Sequence, residues 1–293
     1  MKKTFLLSSF ALLLYIFSAV PAFAATESIA IVRENCALKS IPTANCYTSL
    51  SAWEAGEHRD LVASDEIAIA QIEGPWANPD TTPVVIDGWK TDATHYIKIY
   101  TTGAARHSGK WDDTKYRLEV GHTTAIKSME EYVRIDGLQI SMNLNYQSSK
   151  VGLLIIPQST PAEVRVSNNI IKEITNYALA GIDAHYLTGS QLWTLKAWNN
   201  IVYGFGSSNG RGIYLSGDNW TNYVYNNTVY DNTTGIEASS LSTTILKNNI
   251  SSNNTTDYVG TFNSSSDYNT SSDATAPGTN SKINQTVSFI SKT

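Results

Sequence analysis

The chain of 293 residues is mildly acidic, with 21 Lys and Arg against 26 Asp and Glu and a formal net charge of −5 at pH 7. This balance argues against general binding to nucleic acid, which requires an excess of basic residues. The length is sufficient for one large core, or for a core with a cap.

The first 24 residues have the pattern of a secretory signal peptide. Lys2 and Lys3 precede an apolar run from Phe5 to Val20, and residues 22–24 read Ala-Phe-Ala, a small-x-small cleavage site. We therefore predict cleavage after Ala24 and export of the remaining chain, either secreted or held at the cell surface. A membrane anchor is the alternative, but serines interrupt the run. No later stretch is long and apolar enough to span a bilayer.

The chain contains two cysteines, Cys36 and Cys46. In an exported protein such a pair favours a local disulfide, because a structural zinc needs four Cys or His ligands and this neighbourhood does not offer them. Two free thiols in a reducing environment are the alternative. The five histidines are scattered along the sequence, so we predict neither a metal site nor a cofactor.

Residues 25–65 form the predicted N-terminal cap. Ser51, with Glu54 three residues later, is a capping-box pattern that predicts the start of a short helix. Leu50, Trp53 and Leu61 would form the apolar face of this cap over the core. A cap is expected because an open stack of strands pairs with other chains.

Short strand patterns follow the cap, several of them alternating with period two. They lie at 66–74 (EIAIAQIEG), 83–89 (PVVIDGW), 96–102 (YIKIYTT) and 116–120 (YRLEV). We interpret them as the first, less regular coils of a repeat. The segment from Gly103 to Tyr116 holds Trp111 and five charged residues. It is predicted as a projecting loop, a common place for a binding residue.

Internal repetition is the strongest signal in the sequence. Four segments carry a strand pattern that breaks at Asn-Asn and then resumes: VRVSNNII (164–171), LKAWNNIV (195–202), YVYNNTV (223–229) and ILKNNIS (245–251). Asparagine tolerates the left-handed conformation of a sharp corner, and its amide can bond to the equivalent amide one coil away. The structural asparagines predicted at this corner are Asn168, Asn169, Asn199, Asn200, Asn226, Asn227, Asn248 and Asn249.

A second set of strands begins at glycines between these segments. The strands are GLLIIP at 152, GIDAHY at 181, GIYLSG at 212, GIEASS at 235 and a degraded GTFNSS at 260. The two sets advance together, so each repeat holds at least two strands. Repeats of this kind with almost no helical pattern predict an all-β fold, a right-handed parallel β-helix. We assign its coils to residues 66–262 and an irregular tail to residues 263–293.

The sequence resembles bacterial secreted right-handed parallel β-helix repeat proteins. The resemblance is carried by residues 47–72 (YTSLSAWEAGEHRDLVASDEIAIAQI), by the Asn-Asn repeats and by residues 265–289 (SSDYNTSSDATAPGTNSKINQTVSF). It covers nearly the whole chain after the signal peptide. Such proteins include pectate-lyase-like enzymes, polysaccharide hydrolases and surface proteins, so the resemblance implies a scaffold and no single activity. In them further sequence closes the helix, which leaves open that this chain is a fragment.

An outward polar column is predicted on the glycine-started strands. Asp183, Tyr214 and Glu237 fall on successive coils, with His185 beside them. At about 4.8 Å per coil the two carboxylates would lie about 10 Å apart, near the roughly 6.5–9.5 Å of an inverting glycosidase. Asp183 and Glu237 are therefore candidate catalytic residues, and all four are candidate ligand-binding residues. Plain solvent exposure is the alternative.

The Asn-Asn strands carry a basic column of Arg134, Arg165 and Lys196, followed by Tyr223. Lyases that cleave uronic-acid polymers on the resembled scaffold use Arg or Lys to neutralise a carboxylate and to take a proton. The resemblance thus makes Arg165 and Lys196 candidate catalytic residues. No dense Asp cluster for calcium accompanies them. Charge pairing between coils is the alternative.

The leading hypothesis from the sequence is an exported β-helix that binds carbohydrate or is displayed at the cell surface, with polysaccharide as its partner. It has no complete catalytic set that we can identify. A polysaccharide lyase or glycoside hydrolase acting on an extracellular glycan is the second hypothesis. A structural or adhesive surface protein is the third. The sequence leaves the oligomeric state open.

Overall fold

The computed structural model describes residues 24–38, 45–146, 149–185 and 192–289. Apart from Ala24, the predicted signal peptide lies outside the described residues. Among the residues that are described, no helix is long and apolar enough to cross a membrane. The helices are Leu50–Glu57 (α1) and Leu61–Ser64 (α2), with short 3-10 helices at Cys36–Leu38 and Gly103–Ala105.

Strands form most of the regular structure. In chain order they are Thr26–Val32 (β1), Cys46–Tyr47 (β2), Glu66–Ile72 (β3), Val84–Ile86 (β4), Ile97–Thr101 (β5), Leu118–Val120 (β6), Ile126–Ser128 (β7), Tyr132–Asp136 (β8), Gln139–Met142 (β9), Val151–Ile155 (β10), Ala162–Ser167 (β11), Ile170–Glu173 (β12), Ala180–Ala184 (β13), Trp193–Trp198 (β14), Ile201–Tyr203 (β15), Arg211–Leu215 (β16), Trp220–Tyr225 (β17), Thr228–Tyr230 (β18), Thr234–Ala238 (β19), Thr243–Lys247 (β20), Ile250–Ser252 (β21), Thr256–Gly260 (β22) and Thr270–Ser271 (β23).

These strands build three parallel sheets. Sheet 1 has the order β2-β1-β3-β5-β8-β11-β14-β17-β20, sheet 2 the order β23-β21-β18-β15-β12-β9-β6, and sheet 3 the order β22-β19-β16-β13-β10-β7-β4. From β5 to β22, each coil contributes one strand to each sheet, and these strands pair with those of the neighbouring coils. This topology confirms the predicted parallel β-helix.

The core is built from side chains that stack from coil to coil. On sheet 1, Val133 is in register with Val164, and Val164 with Leu195; all three are fully buried. Parallel strands in register place like positions over one another, so a single apolar position repeated in the sequence becomes a continuous column. Burial of such columns drives the folding of a unit that has no core of its own.

The Asn-Asn corners lie between sheets 1 and 2. The first asparagine of each pair has a φ of 56°, in the left-handed region: Asn168, Asn199, Asn226 and Asn248. The second is buried, and Asn169 donates through its backbone N–H and its Nδ2 to Oδ1 of Asn200, both at 3.0 Å. Asn200, Asn227 and Asn249 repeat this pattern, so the predicted ladder is confirmed.

Two parts of the asparagine network lie outside the prediction. The ladder continues one coil further, because Asn249 donates to Oδ1 of Asn269 at 3.0 Å. A second, shorter ladder joins Asn232 to Asn254, where the Asn232 Nδ2 donates to Asn254 Oδ1 at 2.8 Å. Both lie in the last coils, where repeat lengths shorten and the sequence pattern is weaker.

The N-terminal cap forms with a different first residue. The capping box predicted at Ser51 is wrong: Ser49 precedes α1, and its hydroxyl accepts the Ala52 N–H at 3.0 Å. Glu54 instead accepts a hydrogen bond from the Trp89 indole. The predicted apolar face is confirmed, since Leu50, Trp53 and Leu61 are buried in the core. The predicted disulfide between Cys36 and Cys46 is also present.

The segment from Gly103 to Tyr116 folds down onto the corner between sheets 1 and 2. Arg106 forms an ion pair with Asp136, and His107 Nε2 lies 2.8 Å from the carbonyl oxygen of Asn168. Trp111 lies under the Lys172 ammonium, 3.7 Å from its ring centre. The predicted projecting loop is therefore packed against the coil, because its charged residues find partners there.

Candidate functional site

The predicted polar column on sheet 3 has the expected register. Asp183 pairs with Tyr214, and Tyr214 with Glu237, on neighbouring strands. The expected exposure of the column fails at one position, since Asp183 is only 2% exposed. A buried carboxylate needs donors to replace water, and the structure supplies them from the next coil.

Ser216 and His185 surround the Asp183 carboxylate. The Ser216 hydroxyl donates to Asp183 Oδ1 at 3.0 Å, and His185 Nδ1 lies 3.5 Å from Asp183 Oδ2. His185 Nδ1 also lies 3.1 Å from Ser216 Oγ. A serine triad would need the two histidine nitrogens to serve different partners, so this is a different arrangement. The hydrogen bond to Asp183 raises the pKa of His185.

Glu237 is bound by an arginine that the sequence analysis did not select. Arg211 Nε donates to Glu237 Oε2 at 2.8 Å, and its guanidinium lies 4.4 Å from the centre of the Tyr214 ring. Ser216 lies two residues after Tyr214 on the same outward face, as period-two spacing predicts, whereas Arg211 lies three residues before Tyr214 and this spacing does not place it there. The two candidate carboxylates are thus each held by side chains of the chain itself.

The basic column lies on the outer face of sheet 1. Arg134, Arg165, Lys196 and Tyr223 are in register on successive strands. Arg165 and Lys196 share one carboxylate, since both contact Glu163 at 2.5 Å. Lys196 on β14 therefore makes the charge pairing between coils that was the alternative interpretation, whereas Arg165 pairs with Glu163 along its own strand, β11. Arg134 has an aromatic partner instead, because its guanidinium lies 3.3 Å from the centre of the Tyr96 ring.

An open groove of about 500 Å³ lies beside this column, and we call it the aromatic groove. It is lined by Glu163, Thr194, Lys196, Trp198, Tyr223 and Tyr225. All six side chains alternate outward along β11, β14 and β17, so rigid strands fix their positions. Trp198 is in register with Tyr225 on the next strand, and Lys196 with Tyr223.

The aromatic side chains of the groove expose polar groups that have no protein partner. Within the described residues, the Trp198 indole N–H and the Tyr223 and Tyr225 hydroxyls make no hydrogen bond. Tyrosine and tryptophan usually find such a partner when buried. Their half-buried rings with free polar tips therefore form a surface suited to a ligand with apolar faces and hydroxyl groups.

Sequence reasoning placed Tyr223 and Lys196 on this surface but did not identify the groove. A signal was present, because Trp198 and Tyr225 each directly precede an Asn-Asn pair. In the described part of the chain, no group of three or more His, Cys, Asp or Glu side chains could hold a metal ion. The side chains that line the groove offer aromatic stacking, hydrogen bonding and charge.

No protein-family model, no curated protein and no solved structure matches the chain. The parallel β-solenoid is established by the sheet topology described above. The arguments about function that follow start from the geometry of the chain itself.

Proposed function

We propose that the protein is an exported carbohydrate-binding β-helix that holds a glycan chain in the aromatic groove, as expected of a secreted bacterial protein of this scaffold. One observation carries the proposal: Trp198, Tyr223 and Tyr225 line one open groove, and their indole N–H and hydroxyl groups make no hydrogen bond to any described residue. The glycan would lie against the outer face of sheet 1. The predicted signal peptide and the disulfide agree with an extracytoplasmic, oxidising location.

Sugar rings combine apolar C–H faces with hydroxyl groups around the rim. An aromatic ring with a polar tip matches both, because its face covers the C–H groups and its N–H or O–H bonds a hydroxyl. Lys196 and Glu163 stand beside the rings as an ion pair with partly exposed side chains, which adds charged donors and acceptors. Strand residues are already ordered, so little conformational entropy is lost on binding.

The test is binding of the chain from residue 25 onward to a glycan array, followed by titration of the best glycan. We expect Trp198→Ala to weaken binding by tenfold or more, the equivalent of about 1.4 kcal/mol. Trp111→Ala is the matched control, since Trp111 packs on Lys172 at another surface. Absence of any glycan signal, or equal losses in the two variants, would count decisively against the proposal.

A second candidate function is cleavage of an extracellular glycan at the sheet 3 column. It is favoured by the buried Asp183 carboxylate, which lies against His185 and raises its pKa. Incubation with pectate, alginate and neutral glycans, with and without calcium, tests it. An unsaturated product that absorbs ultraviolet light would indicate a lyase. If Asp183→Asn and Lys196→Ala both leave the activity intact, neither predicted column is the site.

A further inference from the structure

A second cavity lies where the coil turns from sheet 3 into sheet 1, and we call it the corner pocket. It has a volume of about 460 Å³, and its lining includes Asp87, Glu130, Glu131, Tyr132 and Pro161. A volume of this order can admit one sugar residue, because ligand pockets begin at about 300 Å³. Neither predicted column contributes to it.

The corner pocket is connected to the aromatic groove. Between them lies a middle cavity of about 340 Å³, which shares Tyr132 and Pro161 with the corner pocket. The same middle cavity shares Glu163 and Thr194 with the aromatic groove. The three cavities therefore follow one another across the outer face of sheet 1, and we call this series the track. A linear ligand bound in the groove can extend into the corner pocket.

Glu130 is the most unusual group in the corner pocket. Its side chain is only 5% exposed, and its Oε1 accepts the Trp89 backbone N–H at 2.9 Å. Among the described residues, no cationic side chain forms an ion pair with it. Burial, reinforced by the nearby charges of Glu131 and Asp87, raises the pKa of Glu130 to about 7. The protein thus buries a carboxyl group without supplying the charge that would stabilise its ionised form.

The other charges around the pocket leave it acidic. Lys90 is bound to Asp60 at 3.1 Å, and Asp92 is bound to His95 at 2.9 Å. Asp87 and Glu131, like Glu130, have no ion-pair partner in the described chain. These carboxylates all line the cavity, and the described residues contain no group of three or more His, Cys, Asp or Glu side chains that could hold a metal ion. An acidic lining of this kind suits a cationic group of a ligand.

We propose that the corner pocket is an ammonium subsite that takes an amino sugar of the bound glycan. The proposal rests on the proposed function, because the track to the aromatic groove identifies the ligand as a glycan. The ammonium group would supply the counter-charge that Glu130, Glu131 and Asp87 lack, and would add hydrogen-bond donors to the backbone N–H groups that Glu130 and Asp87 already accept. Hydrogen bonds between ionised groups are the strong ones, and a partly buried site increases their contribution.

The experiment compares two probes by isothermal titration calorimetry at pH 6 and low salt: an N-acetylglucosamine tetramer deacetylated at one terminal residue, which we call the deacetylated probe, and the fully acetylated tetramer. We expect the deacetylated probe to bind tenfold or more tightly. Binding of an ammonium group favours the ionised form of Glu130, so the deacetylated probe should also release protons. Proton release is measured from the heats in two buffers of different ionisation enthalpy. The acetylated probe should release none.

Glu130→Gln should abolish both the preference and the proton release. The glutamine oxygen can still accept the Trp89 N–H, and circular dichroism checks the fold. Asp87→Asn is a second, exposed variant that should reduce the preference. Glu27→Gln makes the same charge change outside the three cavities and should leave it unchanged.

The failure of the subsite and the failure of the proposed function give different results. Equal affinity for the two probes, with both dependent on Trp198, would overturn the ammonium subsite and leave the aromatic groove. A preference that survives Glu130→Gln would also overturn the subsite. If no probe or array glycan binds, both proposals are rejected.

Discussion

The middle coils and the last coils of the β-helix fill equivalent core positions with different chemistry. On sheet 1, one inward column reads Val133, Val164 and Leu195 and then continues with Asn222 and Thr244. All five side chains are fully buried. The backbone register does not change where the column turns polar. The fold therefore tolerates either filling, provided that the polar side chains are bonded.

Sheet 2 shows the same change. Its inward column passes from Val202 and Val229 to Ser251 and Ser271. Asp257, fully buried in the last coil, accepts hydrogen bonds from Asn254 and from Ser272 among others. The middle coils are thus held by apolar burial and close packing, and the last coils by a network of hydrogen bonds. A buried network contributes fully only when every member is satisfied.

The largest expected effect tests the apolar half of this comparison. Leu195→Ala should lower the free energy of unfolding by about 2–5 kcal/mol, because it removes buried methyl groups and leaves a cavity. Thr244→Ala, in the same column two coils later, should lower it by only about 1–2 kcal/mol, mainly by leaving the Asn222 amide without a partner. Urea denaturation measures both. A loss for Thr244→Ala as large as that for Leu195→Ala would break the comparison.

The second prediction concerns the asparagine ladder that crosses both regions. Asn200→Ala should lower the free energy of unfolding by about 3 kcal/mol. The buried N–H and Nδ2 of Asn169 lose their acceptor, and Asn227 Oδ1 loses one of its two donors, the Asn200 Nδ2. Asn269→Ala should lower the free energy of unfolding by about 1–2 kcal/mol, because that residue has one ladder neighbour, Asn249, where Asn200 has two.

Urea denaturation of the two variants decides this prediction. Asn199→Ala, at the exposed first position of the corner, serves as control and should cost about 1 kcal/mol through its left-handed backbone. Equal losses at Asn200 and Asn269 would show that the ladder acts uniformly along the solenoid.

Much of this fold was predictable because its determinants repeat in the sequence. The Asn-Asn pairs and the starting glycines recur with the coils, so each strengthens the assignment of the others. The N-cap was wrong by two residues, since Ser49 and Ser51 both stand at the edge of the same apolar pattern. The packed loop was missed because the Arg106 ion pair with Asp136 joins residues 30 positions apart. No local pattern encodes such a contact.

The candidate site was less predictable than the fold. Period-two spacing predicted that Asp183 points outward. Its burial depends on Ser216, which lies one coil away, and on His185, which lies two residues later in the same coil. The aromatic groove depends on residues from three strands, β11, β14 and β17. The raised pKa of Glu130 depends on its burial in the corner pocket. Sequence periodicity gives the direction of a side chain, and only the assembled coils give its environment.

The third prediction concerns Glu130, which is a buried polar residue like those of the last coils but lies in the early coils. Glu130 has a pKa raised from 4.5 to about 7, so its proton binds more tightly in the folded state. Its favourable contribution is complete below pH 4.5 and is lost as the pH rises through about 7. The loss is on the order of 3 kcal/mol, and Glu130→Gln should remove it.

The measurement is the free energy of unfolding from pH 4 to pH 8 for wild type and Glu130→Gln. Relative to the wild type, the free energy of unfolding of Glu130→Gln should be higher at pH 8 than at pH 4. His95, held by Asp65 and Asp92, has a raised pKa and titrates in the same direction. Its effect is common to both proteins and cancels in the difference. Parallel pH curves would show that Glu130 does not titrate in this range.

The smallest expected effect tests whether the polar filling of the last coils is complete. The Asn222 amide donates to Thr244 Oγ at 3.0 Å, but its Oδ1 is buried without a hydrogen-bond partner. Asn222→Leu would continue the apolar column from Leu195 and remove this unsatisfied oxygen. Thr244 keeps a hydroxyl partner in Ser242 at 3.0 Å. We expect the free energy of unfolding to rise by about 1 kcal/mol, measured by urea denaturation. A loss of stability would instead mean that the hydrogen bond donated by the Asn222 amide stabilises the fold more than the unpaired Oδ1 destabilises it. Asn222 would then be a required member of the hydrogen-bond network of the last coils.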